Sequence, residues 1–254
     1  MSTAPLHALV TGGARGIGAA ITRRLRAQGH QVTILGRSLA TGQALAEEDP
    51  DGLHAVAADV ADAAQLARAL EAARRRFGPV QLLVNNAGQA ESAPFAKMDV
   101  ALWQRMLDVN LTGTMHCTQL ALPDMLQAGW GRVVNVASTA GQTGYAYVSA
   151  YCAAKHGVIG LTRALARELA RSGVTVNAVC PGYTDTDIVR DSIARVMAKT
   201  GRGEAEARAE FVKTNPQGRL VDPVEVADAV AWLCGTGTGA VTGQTISVCG
   251  GEIM

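Results

Sequence analysis

The sequence predicts a single-domain, doubly wound α/β fold over residues 1–254, with about seven parallel strands, helices on both faces and a small helical lid near 183–218. Three observations predict it. Apolar runs of strand length alternate with longer amphipathic stretches. A glycine-rich turn, Thr11-Gly-Gly-Ala-Arg-Gly-Ile-Gly18, lies between the first apolar run and the first amphipathic one. No segment reads as a linker or an internal repeat, so one core serves the whole chain.

Residues 8–10 are the first strand, and the helix after the glycine turn runs from about 16 to 28. Residues 31–35 and 53–57 are the second and third strands. An Ala-, Leu- and Arg-rich helix covers 62–76. Residues 81–84 are a short buried strand, ended by Asn85-Asn-Ala-Gly88. A helix around 99–118 leads into another and then into a fifth strand at 132–137. A long helix at 150–171 precedes a sixth strand at 174–179, which Pro181-Gly182 stops. Residues 183–218 mix charge with apolar spacing, as a lid does. Asp222-Pro-Val-Glu225 opens the next helix, with a capping carboxyl, Pro in the first turn and Glu at the third position. Residues 245–248 form the last strand, before Gly250-Gly251. Right-handed crossovers between such strands place ligands at the carboxyl ends of the sheet.

The chain is 48% hydrophobic and 18% charged, enough apolar material for a sizeable core. Its formal net charge of +1 comes without a basic tail, which argues against capture of nucleic acid or an anionic membrane surface. No apolar run reaches the roughly 18 residues that a membrane span needs. The first residues, Met1-Ser-Thr-Ala-Pro-Leu-His7, lack the basic and apolar regions of a secretion signal. The five cysteines at 117, 152, 180, 234 and 249 show no metal-ligand spacing. Four sit in apolar or helical runs, where a buried free thiol is the default. No metal and a cytoplasmic setting are expected.

The glycines at 12, 16 and 18 let the backbone approach a pyrophosphate at the positive end of the first helix. The alternative is a tight strand–helix turn without a ligand. Sites that prefer NAD end the second strand with an acid that accepts from the ribose 2′-hydroxyl. Here that strand ends Leu35-Gly36-Arg37-Ser38. A guanidinium pairs well with a 2′-phosphate, and Arg15 adds positive charge nearby. NADP(H) is favoured, with NAD(H) possible.

Tyr151 and Lys155 lie four residues apart on the long helix and share one face. A free phenol titrates near pH 10, and an adjacent ammonium is expected to lower that value into a useful range. The plainer reading is a surface aromatic stacked on a lysine stem. Tyr145 and Tyr147 lack a lysine four residues on. Thr139 could replace Ser138 as a strand-end hydroxyl, but alternation points neighbours in opposite directions. Ser149 reads as the helix N-cap, and His116 and His156 as satisfied core or surface residues.

Taken together, these residues resemble the short-chain dehydrogenase/reductase family along nearly the whole chain. The glycine turn, Asp59-Val60, Asn85-Asn-Ala-Gly88, Asn110, Ser138, Tyr151-x-x-x-Lys155, Pro181-Gly182, Pro216-Gln-Gly-Arg219 and Gly250-Gly251 fall in the family's order and spacing. The resemblance implies a Rossmann fold and a hydride-transfer enzyme. It implies that Gly12, Arg15, Gly16, Ile17, Gly18 and Arg37 hold the dinucleotide phosphates. Asp59 and Val60 would meet the adenine, and Asn86, Ala87 and Gly88 the adenosine ribose. Pro181, Gly182, Thr184 and Thr186 would meet the nicotinamide end. Thr184 departs from the family's apolar residue, and Cys249 from its Asp or Asn. Ser138 would polarise the substrate carbonyl and Tyr151 would donate a proton to it. Lys155 would activate the phenol and bind the nicotinamide ribose, and Asn110 would hold a water that links Lys155 to solvent. A helix N-cap remains open for Asp59, and a strand-end turn for Asn86.

Within the family, the closest look is to 3-oxoacyl reductases acting on carrier-protein or coenzyme A thioesters. Lys155-His-Gly-Val158, Thr175-Val-Asn-Ala-Val-Cys-Pro-Gly182 and Val248-Cys-Gly-Gly251 resemble bacterial polyketide ketoreductases, whereas Gln89-Ala-Glu-Ser92 departs from them. Gln89, Gln142, Thr143, Tyr145 and Ile188 are expected to line the substrate pocket. Arg190, Arg195, Arg202 and Arg208 alternate with acids in the lid and read as a solvated face rather than a phosphate site. The resemblance further implies a homotetramer, and acyl carrier protein as a candidate partner. The alternatives are reduction or oxidation of another small ketone or alcohol (sugar, steroid, diol), and a non-catalytic dinucleotide sensor.

Overall fold

The computed structural model describes residues 5–254, so the first four residues of the Met1-to-His7 reading lie outside the described residues. The strands are β1 (His7–Thr11), β2 (Gln31–Gly36), β3 (Leu53–Ala57), β4 (Leu82–Asn85), β5 (Gly131–Val136), β6 (Val174–Pro181) and β7 (Thr245–Val248). They pair in parallel, in the order β3-β2-β1-β4-β5-β6-β7. Every residue of β1, β4, β5 and β6 is buried, as parallel strands covered on both faces must be. The helices are α1 (Gly16–Ala27), α2 (Leu39–Ala46), α3 (Ala63–Phe77), α4 (Val100–Leu107), α5 (Gly113–Ala128), α6 (Ser149–Glu168), α7 (Asp187–Thr200), α8 (Glu204–Val212) and α9 (Pro223–Leu233).

Side-chain alternation along β1 divides the core. Ala8 and Val10 pack in one layer with Ile21 and Leu25 of α1 and Val230 and Leu233 of α9. Leu9 faces the other layer, with Leu66 and Leu70 of α3 and Met125 of α5. The strand order reverses between β1 and β4, which opens a crevice at their carboxyl ends.

Some expectations need correction. α2 was not anticipated; it is short, contains Gly42, and is started by Ser38, whose hydroxyl accepts from Thr41 N at 3.3 Å. No break falls near 118. α4 passes through a π turn, Asp108–Thr112, into α5, which continues through Pro123 to Ala128. Ser149 is the first residue of α6 and makes no cap, since Val148 occupies that position. The lid holds two helices, α7 and α8. The capping box at Asp222 and Glu225 forms as expected.

Candidate active site

A cleft of about 660 Å³ runs along the carboxyl ends of the central strands. At one end the β1–α1 turn takes left-handed backbone at Gly12 (φ 62°) and Gly16 (φ 50°). A Cβ on Gly18 would collide with the Gly12 carbonyl and come within 2.6 Å of Asn86 Nδ2. That amide donates to Thr11 O at 2.9 Å and Gly12 O at 3.2 Å. Thr11 Oγ1 accepts from the backbone N–H groups of Asn86 and Ala87. The end of β4 therefore braces the glycine turn, and Asn86 does structural work.

Arg15 and Arg37 are exposed on the cleft wall, and among the described residues neither joins an ion pair. Asp59 and Val60 line the wall beside them. Asp59 does not cap α3; Asp62 does, accepting from Ala64 N and Gln65 N. The β6 segment closes the far side. Pro181, Gly182, Thr184 and Thr186 line the cleft, and the Thr186 methyl would stand 3.1 Å from a Cβ on Gly16. Side-chain-free turn, bare helix N-terminus and unpaired guanidinium groups suit a dinucleotide carrying a 2′-phosphate. Ile17, Ala87 and Gly88 complete this wall.

The chemistry-bearing groups gather at the other end. Ser138 lies two residues past β5, at the head of a single 3₁₀ turn (Thr139–Gly141), and its Oγ accepts from Ala140 N at 3.1 Å. Tyr151 lines the cleft from the first turn of α6. Lys155, one turn later, is only 4% exposed, donates to Val136 O at 2.9 Å and stands 5.7 Å from the Tyr151 ring centre. A Cβ on Gly88 would meet Asn110 Oδ1 at 2.8 Å and Lys155 Nζ at 3.6 Å, so these residues converge. Asn110 sits in the π turn, a feature often found at functional sites. Its amide donates to Gln89 O and Met106 O, both at 2.9 Å, and its Oδ1 accepts from Gln89 N at 3.2 Å.

The titration expectation is reversed here. Burial pushes the Tyr151 phenol up to about 12, with its Ser138 hydrogen bond pulling the other way. Burial also pushes the Lys155 ammonium down, to about 8. The reason is geometric: Lys155 donates to a backbone carbonyl, and burial disfavours the charged form of each group.

Of the residues expected to line a substrate pocket, Gln89, Tyr145 and Ile188 line the cleft, while Gln142 and Thr143 do not. The 3₁₀ turn swings Gln142 towards β7, where its Oε1 accepts from Ser247 Oγ at 2.9 Å. His156 is satisfied by Cys152 O at 2.9 Å. His116 is not as expected, because its buried Nδ1 has no hydrogen-bond partner among the described residues. In the lid, Arg190 pairs with Asp185 and Asp187, Arg208 with Asp185, and Arg202 with Glu210, while Arg195 bonds Asp191 O. These pairs favour the solvated-face reading. Two residues that sequence reasoning missed, Tyr183 and Glu252, flank Tyr145. No spacing or motif marks Glu252. No group of three or more His, Cys, Asp or Glu among the described residues could hold a metal ion.

A phenol, a hydroxyl and a buried ammonium in one cleft can polarise and protonate a carbonyl oxygen. The chain is similar to known proteins along nearly its whole length. The short chain dehydrogenase family model matches residues 6–196. A Streptomyces coelicolor protein provisionally named a ketoacyl reductase is 41% identical, over 96% of this chain and 95% of its own length. An acetoacetyl-CoA reductase of Rhizobium meliloti is 39% identical over 96% of this chain and 97% of its own. The crystal structure of a variant actinorhodin polyketide ketoreductase with NADPH superposes with a TM-score of 0.93 at 38% identity, covering 98% of this chain and 97% of that one. The chain belongs to the short-chain dehydrogenase family and is an NAD(P)-dependent oxidoreductase of the ketoreductase type.

Proposed function

We propose that this enzyme uses NADPH to reduce a 3-oxoacyl thioester, on coenzyme A or a carrier protein, to the 3-hydroxyacyl form. The observation that carries the reading is the convergence of Ser138, Tyr151, Lys155 and Asn110 at one end of a cleft whose other end presents Arg15 and Arg37. The names of the relatives, acetoacetyl-CoA reductase and polyketide ketoreductase, support this substrate class.

The nicotinamide, when bound, supplies hydride chemistry. Ser138 donates a hydrogen bond to the substrate carbonyl oxygen. Tyr151, kept protonated by its high pKa, gives its proton to that oxygen as negative charge develops there. A group titrating near 8 is still about nine-tenths protonated at pH 7, so Lys155 faces the new phenolate as a cation. Asn110, whose side chain bonds the Gln89 backbone, would hold a water that links Lys155 to solvent, so that the proton is replaced. One domain binds both ligands and works as a homotetramer. A cytoplasmic setting is supported by five free cysteines, all buried. No helix among the described residues is long and apolar enough to cross a membrane.

NADPH oxidation is measured against acetoacetyl-CoA, a carrier-linked 3-oxoacyl thioester and simple ketones. The thioesters should give the highest kcat/KM; a simple ketone ahead of them overturns the substrate class. Tyr151→Phe should bind NADPH normally and lose about 10²–10⁴-fold in turnover. Arg37→Asp should move preference towards NADH. Unchanged NADPH use in that variant removes the 2′-phosphate role.

A further inference from the structure

Tyr145 stands on the substrate side of the cleft, and its hydroxyl lies 2.7 Å from Glu252 Oε1 and 2.9 Å from Thr139 Oγ1. A carboxylate can only accept, so the single phenolic hydrogen goes to Glu252 and the Thr139 hydroxyl donates to the phenol. The chain of bonds is thus directed: Thr139 to Tyr145 to Glu252. Burial, aided by the neighbouring carboxylate, holds the Tyr145 phenol above its ordinary range, so it stays protonated. Thr139 is buried and follows Ser138 directly.

Glu252 comes from the segment after β7. Ile253 N donates to the buried Cys249 Sγ at 3.4 Å, and Glu252 Oε2 would stand 3.1 Å from a Cβ on Gly182. The Tyr145 ring meets Tyr183 edge-on at 6.4 Å, and Tyr183 meets Phe211 of α8 at 5.2 Å. The turn after β5, the lid and the C-terminal segment therefore meet around one phenol.

Resting on the thioester-reductase reading, we propose that Glu252 is a positioning residue for substrate choice. It fixes the Tyr145 ring as a wall beside Ser138 and Tyr151, and so limits the width of the acyl group admitted. A hydrogen bond to a carboxylate is charge-assisted and holds the ring more firmly than a neutral partner would. Its hydrogen being committed to Glu252, Tyr145 supplies no proton to substrate. Removal of the carboxylate releases the ring and the segment behind it. Narrow substrates then lose a fixed seat, and wide ones gain room.

The test compares acetoacetyl-CoA with benzoylacetyl-CoA in wild type, Glu252→Ala, Glu252→Gln, Tyr145→Phe and the Tyr145→Phe/Glu252→Ala double variant, each with NADPH affinity measured by fluorescence. In Glu252→Ala and Tyr145→Phe, kcat/KM on acetoacetyl-CoA should fall about tenfold, mainly through KM, with NADPH affinity unchanged. The benzoylacetyl-to-acetoacetyl ratio of kcat/KM should rise by a similar factor. Glu252→Gln, which keeps an acceptor oxygen, should fall between. The double variant should be no worse than either single, because both remove one bond. An unmoved ratio in both single variants, or additive losses in the double, overturns the proposal while leaving the reductase reading intact. Wild-type silence on both thioesters overturns the reading, and this proposal with it.

Discussion

Lys155 shows what burial does to a working residue. Its ammonium is almost fully covered and pushed down to about 8, so folding the charged form is unfavourable at neutral pH. The folded value lies below the ordinary one. The unfolded chain therefore binds more protons between about 8 and 10.5, and stability should rise with pH across that window. Tyr151 acts oppositely above pH 10, because its folded value of about 12 exceeds the unfolded one and stability falls between them. Lys155→Met should abolish turnover and yet raise stability at pH 7, by on the order of 1–3 kcal/mol, and flatten the rise between pH 8 and 10. Chemical denaturation at several pH values measures both; a less stable variant at pH 7 would refute the burial argument. The Tyr151–Lys155 pair was legible because four-residue spacing on a helix is local. The direction of its titration was not, since β5 and Gly88 set the burial from remote parts of the chain. Glu252 was silent for the same reason: only folding brings it to Tyr145, 107 residues away.

Elements were most legible where periodicity ran long or chemistry was local. The strands appeared as apolar runs, and the capping box at Asp222 and Glu225 declared α9. α2 escaped because eight residues with only Gly42 and Leu45 buried carry little pattern. The π turn escaped because one extra residue in a helix leaves no compositional mark, although it aims Asn110 at Gln89. The β1–α1 turn was legible through its glycines, and the structure shows why Gly18 has no substitute. Its missing Cβ is the space occupied by the Gly12 carbonyl and the Asn86 amide. Gly18→Ala must push the turn off Asn86, at a cost of about 1–3 kcal/mol in stability. NADPH affinity should fall at least about tenfold, because the backbone donors move with the turn. Isothermal titration together with thermal unfolding checks this; normal affinity in the variant would mean that the turn does not hold the phosphates.

At the scale of the molecule, the doubly wound order was legible because parallel strands with right-handed crossovers leave few arrangements open. Which faces stay uncovered was not, since exposure is a property of the finished surface. Among the described residues, two of the exposed apolar areas lie on opposite faces of the sheet. One lies at α4, with Val100 80% exposed and Phe95 just before it, packed beside α6. The other lies on α9, where Trp232 is 52% exposed beside β7, an edge strand whose four residues are all partly open. An apolar area that copies can share about a two-fold axis makes a dimer, and two such areas with different axes make a closed tetramer. Light scattering should give four times the 26.3 kDa chain mass. Trp232→Glu places a charge on the α9 area and should halve the particle to a dimer held by the α4 side. Because Trp232 is remote from the cleft, the dimer should keep NADPH binding. A monomeric wild type, or a Trp232→Glu tetramer of undiminished stability to dilution, would exclude α9 and β7 from the assembly.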